Sequence, residues 1–187
     1  MFDDARLPHE HRRFVAYWTT RLIGGALPAR RDIDPLIDLK ELAPFLGIIR
    51  PLDGRYFYSV LGAGIEEAGG PKTGSYLDET RVPPFRSYLE TMFRLSTERR
   101  ACVLTRHGFE YDGAKIGHTV RVIAPLGDNG TTVDGFVGLQ ISRDETGKIL
   151  TNAWSRTPNF PDALLSEMAW RAADGAWHPV DWRTLQT

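Results

Sequence analysis

The sequence predicts an α+β domain in which helices pack on one face of a five-stranded antiparallel sheet. Three features support this prediction: tight turns between β-rich runs, a helical pattern between two groups of such runs, and a helical pattern before the first group. The first turn is Asp53-Gly54, which separates runs at 46–52 and 55–63. An Asp-Gly pair in this position is a strong signal for a β-hairpin.

Two further reversals follow in the second half of the chain. Asp112-Gly113 separates runs at 101–111 and 117–126, and Asp128-Asn129-Gly130 leads into a run at 135–142. Hairpins join antiparallel neighbours, so these three runs should lie side by side. Five strands result, two before the helical interval and three after it.

The helices are predicted from apolar residues at helical spacing. We expect an N-terminal helix at 12–23, a longer helix at 83–100 and a short helix in the C-terminal tail at 161–174. The apolar side of the longer helix comprises Phe85, Tyr88, Leu89, Met92, Phe93 and Leu95. This helix should therefore cross one face of the sheet. Four of the five tryptophans lie in the tail, and some of them should dock on the domain or on a partner.

Length and composition indicate one globular unit with extensions. The chain has 187 residues, of which 42% are hydrophobic and 25% are charged. Such a length can bury a sizeable core without a metal or disulfide. The element order divides the chain into an N-terminal helical segment (1–26), a sheet domain (27–143) and a C-terminal extension with a short helix (144–187).

Charge and hydropathy exclude several classes of protein. Lys and Arg number 23 against 24 Asp and Glu, a net charge of −1, so no nucleic-acid surface is predicted. No apolar run approaches the roughly 18 residues of a membrane span. The only cysteine is Cys102, so no disulfide can form within the chain. The charged N-terminus lacks the apolar core of a signal peptide, and we expect a cytoplasmic protein.

A charged stretch, LPARRDIDP at 27–35, suggests either a binding site or a local clasp. Its charged residues are Arg30, Arg31, Asp32 and Asp34. In the first interpretation the arginines bind an anion or a partner. In the second, Asp34 caps a helix that starts at Pro35 and an arginine pairs with an aspartate. Asp-Pro at a helix start is readily explained by capping, which favours the clasp.

Three segments together resemble a known family. LPARRDIDP, then YFYSVLGAGIEEAGG, then KTGSYLDE, in this order and spacing, resemble the bacterial PAS-like family of the PAS_5 type, whose members are mostly alphaproteobacterial. The resemblance covers roughly residues 18–142. It implies a PAS fold and a role in sensing or protein interaction, with no shared catalytic residues. The family usually carries a basic residue in the second-strand motif, where this chain has Ser59.

Histidines and the cysteine are the candidates for cofactor chemistry. His107 and His118 fall on adjacent predicted strands, almost opposite one another, where a metal or haem would still need a third ligand or a cavity. We therefore predict no cofactor. His9 and His11 are expected to be solvated. Cys102 is interpreted as a small buried residue.

Both faces of the predicted sheet carry apolar residues, which points to the function. One face should pack under the helices of the interval, and the other should be covered by the N-terminal helix, the tryptophan-rich tail or a second subunit. In the second strand, residues 56, 58 and 60 should face one way and residues 57, 59 and 61 the other. The candidate wall of a cavity between sheet and helices is Tyr56, Tyr58, Val60, Phe93, Val120, Val122 and Leu139. The candidates for interaction are Phe57 and Leu61, with Arg30, Arg31, Asp32 and Asp34 as interaction or clasp residues.

The expected function is that of a non-catalytic sensory or regulatory module. It would act by contact with a protein partner or with a second copy in a homodimer, and could hold a small ligand in the sheet–helix cavity. The alternative is a small-molecule enzyme that uses the same cavity. No nucleophile–base pair or metal motif marks such an enzyme in the sequence.

Overall fold

A computed structural model describes residues 4–80, 83–111, 114–150 and 167–185. The α-helices are α1 (His9–Thr19), α2 (Pro35–Asp38), α3 (Ala63–Gly69), α4 (Leu77–Thr80) and α5 (Pro83–Arg99). The strands are β1 (Leu46–Leu52), β2 (Arg55–Leu61), β3 (Val103–Tyr111), β4 (Ala114–Leu126), β5 (Gly135–Asp144), β6 (Glu167–Arg171) and β7 (Trp177–Val180). Short 3₁₀ helices lie at Asp4–Arg6, Arg30–Asp32, Lys40–Phe45 and Trp182–Leu185.

The strands form one antiparallel sheet in the order β2-β1-β5-β4-β3-β6-β7. The α+β class expected from the sequence is confirmed, and each of the five predicted runs contains a strand. The predicted five-stranded sheet is wrong, because β6 and β7 extend it beyond β3 to seven strands. No helix among the described residues is long and apolar enough to cross a bilayer.

The hairpin turns show how local sequence sets this topology. Asp53 and Gly54 both have positive φ, 53° and 74°, as a type I′ turn between β1 and β2 requires. Asp112 and Gly113 lie outside the described residues, while β3 and β4 pair in antiparallel register up to Tyr111 and Ala114. The third connection spans 127–134 and is longer than the predicted reversal.

The predicted tail helix at 161–174 is wrong from residue 167 onwards, and residues 161–166 lie outside the described part of the chain. Residues 167–171 form β6, which pairs with β3 from Val103 to Arg106. Met168 and Ala169 are both buried, one on each face of the sheet. A short apolar run of this kind carries no periodicity that separates a strand from a helix, and the open edge of β3 decides the outcome.

Helices cover both faces of the sheet, and the second face is covered by the N-terminal helix, one of the three covers expected for it. On one face, Phe14 and Trp18 of α1 share a core with the even-numbered residues 120–126 of β4. On the other face, α5 packs against Ile123 of β4 and Phe136 of β5. The central strands are therefore buried on both sides.

Hydrogen bonds hold α1 to the sheet. The indole Nε1 of Trp18 donates to the carbonyl oxygen of Pro125 at 2.9 Å, and Nε2 of His11 lies 3.1 Å from the carbonyl oxygen of Val120. His11 is fully buried, so the expectation that it is solvated is wrong. The helix begins at His9, earlier than predicted, and His11 thereby joins the buried stripe of Phe14 and Trp18.

The C-terminal tail also docks on the domain. Nε1 of Trp177 donates to Oδ1 of Asp4 at 2.6 Å, and the same carboxylate accepts a 3.0 Å hydrogen bond from Arg171. The ring of Trp182 packs edge-on against Tyr88 of α5. The expectation that tail tryptophans dock is confirmed for these two.

Capping of α2 by Asp34 gives the first prediction. The Ile37 amide donates to Oδ1 of Asp34 at 3.3 Å, and Pro35 occupies the first helical position. Asp34→Ala should lower the free energy of unfolding by about 1 kcal/mol. Asp32→Ala is the matched control and should change it by less than about 0.5 kcal/mol, because Asp32 is exposed and lies 3.9 Å from Arg31. An equal loss of unfolding free energy in Asp34→Ala and Asp32→Ala, measured by chemical denaturation, would contradict the capping role.

His11 gives the second prediction. Burial lowers the pKa of His11 to about 4, and the positive charges of Arg143 and Arg106 act in the same direction. The hydrogen bond to the Val120 carbonyl and the charge of Glu10 raise this pKa and only partly offset the effect of burial. Below pH about 6.5 the unfolded chain therefore takes up a proton that the folded chain refuses. The free energy of unfolding should fall by up to about 3 kcal/mol between pH 6.5 and 4.

The variant His11→Gln tests this attribution. It retains a side-chain donor for the Val120 carbonyl but does not titrate, so its stability should vary less than that of the wild type between pH 6.5 and 4.5. Carboxyls with lowered pKa, such as that of Glu10, act at lower pH in both proteins. If the free energy of unfolding changed by the same amount across this pH window in both proteins, the stability change could not be attributed to His11.

Candidate functional site

The space between the sheet and α5 is nearly filled. A cavity of about 40 Å³ remains there, with walls that include Tyr58, Ile65, Met92 and Phe93. This volume has room for one or two water molecules, whereas small-molecule pockets usually measure about 300–1,000 Å³. No organic ligand fits this cavity in the described conformation.

The predicted cavity residues are distributed over both faces. Tyr58 and Phe93 line the cavity, and Leu139 borders it, although Leu139 belongs to the core on the α1 face. Tyr56 stacks on Phe93 with ring centroids 4.5 Å apart and lines an adjoining open cleft. Val120 and Val122 lie under α1 on the opposite face, so their placement in the cavity is wrong.

A β-bulge in β2 explains two further errors. Ile48 pairs with Val60 but Ile49 pairs with Tyr58, so one extra residue is accommodated at Ser59. The bulge reverses the alternation of side chains. Val60, placed in the cavity by sequence, is 41% exposed on the other face. Leu61, expected to be available for interaction, packs instead towards α5.

Phe57 keeps the outward orientation that strict alternation predicts. Its ring meets that of Tyr76 edge-on, with centroids 5.2 Å apart, and the two residues form an isolated backbone bridge. The segment around Tyr76 thereby covers part of the outer edge of β2.

A polar row lies across three strands beneath α5. Arg121 of β4 is 6% exposed, and its Nε and Nη2 donate to Oε1 of Gln140 at 2.9 and 2.7 Å. Its Nη1 donates to Oγ1 of Thr105 at 3.3 Å. These three residues are direct cross-strand neighbours, so sheet register alone brings them together.

Sequence reasoning missed Arg121. A single arginine between Val120 and Val122 is typical of a strand whose polar side chains face solvent. Arg121 instead faces α5, because the apolar residues on either side of it are covered by α1. The signal that could have found it is the second apolar pattern in β4, since Ile123 shares the side of Arg121.

The histidine pair does not form. The register pairs His107 with Thr119 and His118 with Gly108, which places the two histidines on opposite faces of the sheet. His107 is buried against the Phe85 ring, with centroids 5.2 Å apart. In the described parts of the chain no group of three or more His, Cys, Asp or Glu side chains could hold a metal ion.

Cys102 is fully buried, as expected for a small core residue. Burial raises the pKa of its thiol, so the reactive thiolate is disfavoured at neutral pH.

The charged stretch at 27–35 forms local contacts. Residues 30–32 make a 3₁₀ turn shortly before the helix. Nη1 of Arg30 donates to the carbonyl oxygen of Ile33 at 2.7 Å. Arg31 and Asp32 are exposed and approach only to 3.9 Å, which contributes little to stability. The capping of α2 by Asp34 matches the clasp interpretation.

A groove of about 430 Å³ lies on the sheet face that α1 leaves uncovered at β1 and β2. We call it the outer groove. Its apolar centre contains Ile48, Val60 and Leu126, and its charged residues are Arg30, Arg50, Asp128 and Asp134. The hydroxyl of Ser59, also in the groove, is buried and has no hydrogen-bond partner among the described residues.

On the α5 side, the β1–β2 hairpin and α5 border an open cleft of about 520 Å³. We call it the hairpin cleft. One wall is built by Arg55, whose Nε and Nη2 bind Asp78 at 2.8–3.2 Å and whose Nη2 also binds Glu79 at 2.8 Å. The guanidinium lies 3.8 Å from the centre of the Tyr76 ring. These hydrogen bonds lower the pKa of both carboxyls.

Comparison with known proteins assigns no family. No protein-family model matches the chain, and no curated protein matches it. The resemblance to the PAS-like family therefore stays a prediction.

The polar row gives the third prediction. Arg121→Met should lower the free energy of unfolding by about 1–3 kcal/mol, because the amide of Gln140 loses its buried partner. Arg121→Met with Gln140→Leu should recover most of this loss, since both partners become apolar. A double-mutant cycle by chemical denaturation measures the coupling. Additive effects of the two single changes would contradict the paired arrangement.

Proposed function

We propose that the chain is a PAS-like, non-catalytic regulatory module that acts by pairing with a second copy of itself through the outer groove. The element order supports the PAS-like assignment: two strands, a helical interval that crosses one face, then three strands, to which the tail adds β6 and β7. The observation that carries the pairing proposal is the outer groove, where an exposed Val60 lies among two arginines and two aspartates.

Val60 is 41% exposed within the outer groove. Contact with another protein surface would remove this apolar side chain from water, which is favourable.

The charges favour a second copy as that surface. Arg30 and Arg50 supply two cations, and Asp128 and Asp134 supply two anions. None of the four forms an ion pair with another described residue. In a two-fold dimer the same patch meets itself, so a patch with both signs of charge can pair cation with anion twice.

The enzyme alternative needs a substrate in the sheet–helix cavity. That cavity measures about 40 Å³, which gives the alternative no support.

Substitution of Val60 gives the fourth prediction. The wild-type protein should dimerise in sedimentation equilibrium and native mass spectrometry. Val60→Glu places a carboxylate in the apolar centre of the interface and should raise the dimer Kd at least about tenfold. Its side chain is exposed in the monomer, so stability of the fold should change little.

Ile149→Glu is the matched control. Ile149 is β-branched and 39% exposed, close to the 41% of Val60, but lies outside the outer groove. This variant should dimerise like the wild type. A monomeric wild type, or equal dimer affinity in Val60→Glu and wild type, would overturn the proposed pairing.

A further inference from the structure

The hairpin cleft carries a polar stripe from α5. Ser87, Glu90, Thr91 and Arg94 line it. They occupy positions i, i+3, i+4 and i+7 of the helix, so they share one side of it. Thr91 is only 4% exposed, whereas the side chain of Glu90 is 46% exposed, so the stripe runs from the base of the cleft to its open rim.

The two arginines of the cleft differ in their partners. Arg55 is neutralised by Asp78 and Glu79. Arg94 forms no ion pair within the described ranges, and its Nη2 donates to the carbonyl oxygen of Leu185. That bond orients the guanidinium through a neutral group and leaves its charge without a direct ion-pair partner among the described residues. Arg94 is thus the cation of the cleft that can receive a ligand anion.

Glu90 provides a complementary acceptor one helical turn away. Its nearest described cation is Arg86, at 3.8 Å on the exposed side of the helix. Side chains at i and i+4 lie about 5–6 Å apart at Cβ. A molecule bound to Arg94 by a carboxylate could therefore donate a hydroxyl or ammonium proton to Glu90.

Tyr56 forms the aromatic side of the cleft. Its ring is stacked on Phe93 and meets Phe136 edge-on, so its position is set by the core. Burial raises the pKa of its hydroxyl, which stays a neutral donor at physiological pH. This ring offers an apolar surface for the body of a ligand.

We propose that the hairpin cleft binds a small hydroxy- or amino-carboxylate, with its carboxylate on Arg94, its donor group on Glu90 and its carbon body against Tyr56. The volume of about 520 Å³ lies within the range of small-molecule sites. The planar guanidinium matches a carboxylate in two-point geometry. Arg55 is already paired, so Arg94 is the one available cation and it lies near the carboxylate of Glu90, which favours a monoanion over a phosphate dianion.

The proposal concerns ligand binding and stands apart from dimer formation, because the cleft and the outer groove lie on opposite faces of the sheet. Binding is followed in ¹H–¹⁵N correlation spectra of the full chain. The probes are the monoanions or zwitterions L-lactate, L-mandelate, L-leucine and L-phenylalanine. Inorganic phosphate and the amines leucinamide and phenethylamine, which lack the carboxylate, are the negative probes. At least one carboxylate should cause saturable shifts around Tyr56 and Arg94.

Variants of Arg94 give the fifth prediction. Arg94→Gln should weaken binding of that carboxylate at least tenfold. Arg94→Lys should retain part of the affinity, because lysine keeps the positive charge but lacks the two-point hydrogen bonding of the guanidinium. Arg99→Gln removes the same charge from the exposed end of α5, above the Trp170 ring, and should leave affinity within twofold. Near-ultraviolet circular dichroism verifies that each variant is folded.

Three results would overturn the proposal. The first is the absence of saturable shifts with any of the four carboxylates. The second is equal affinity in Arg94→Gln and the wild type. The third is stronger binding of phosphate or of the amines than of the carboxylates. The oligomeric state is measured in the same samples, so failure of pairing and failure of ligand binding are separate outcomes.

Discussion

Burial of β4 on both faces is the constraint on which the rest of the structure depends. Its even-numbered residues from Val120 to Leu126 form the core with α1, and Ile123 belongs to the core with α5. A strand in this position has no solvent face, so each polar group on it needs a partner. Thr105 and Gln140 supply this for Arg121, while α1 uses the carbonyls of Val120 and Pro125.

The β2 edge of the sheet is not fully open, and this restricts how a partner strand could pair with it. The β2 edge is partly covered by its own chain, since Tyr58 N donates to Ser75 O at 3.0 Å and Gly74 N donates to Tyr58 O at 2.8 Å. Addition of a partner strand at this edge is therefore hindered. Contact through the face of the sheet, at the outer groove, avoids this obstacle.

Strand β2 contributes to both proposed sites. Tyr56 lines the hairpin cleft, and Val60, beyond the bulge at Ser59, lines the outer groove. A short strand that presents one residue to each face links the two surfaces through a few residues of backbone.

Local sequence by itself determined the turn between β1 and β2, the start of α2 and the extent of α5. Asp53-Gly54 fixes a turn through backbone conformation, Asp34-Pro35 starts a helix through capping, and the apolar spacing of 83–100 predicts α5 within a residue or two. Tertiary structure decided everything that depends on which faces meet. The covering of both sheet faces, the tail strand β6, the bulge that exposes Val60 and the burial of His11 and Arg121 each result from long-range contacts. Such contacts select among local patterns that are individually compatible with more than one environment.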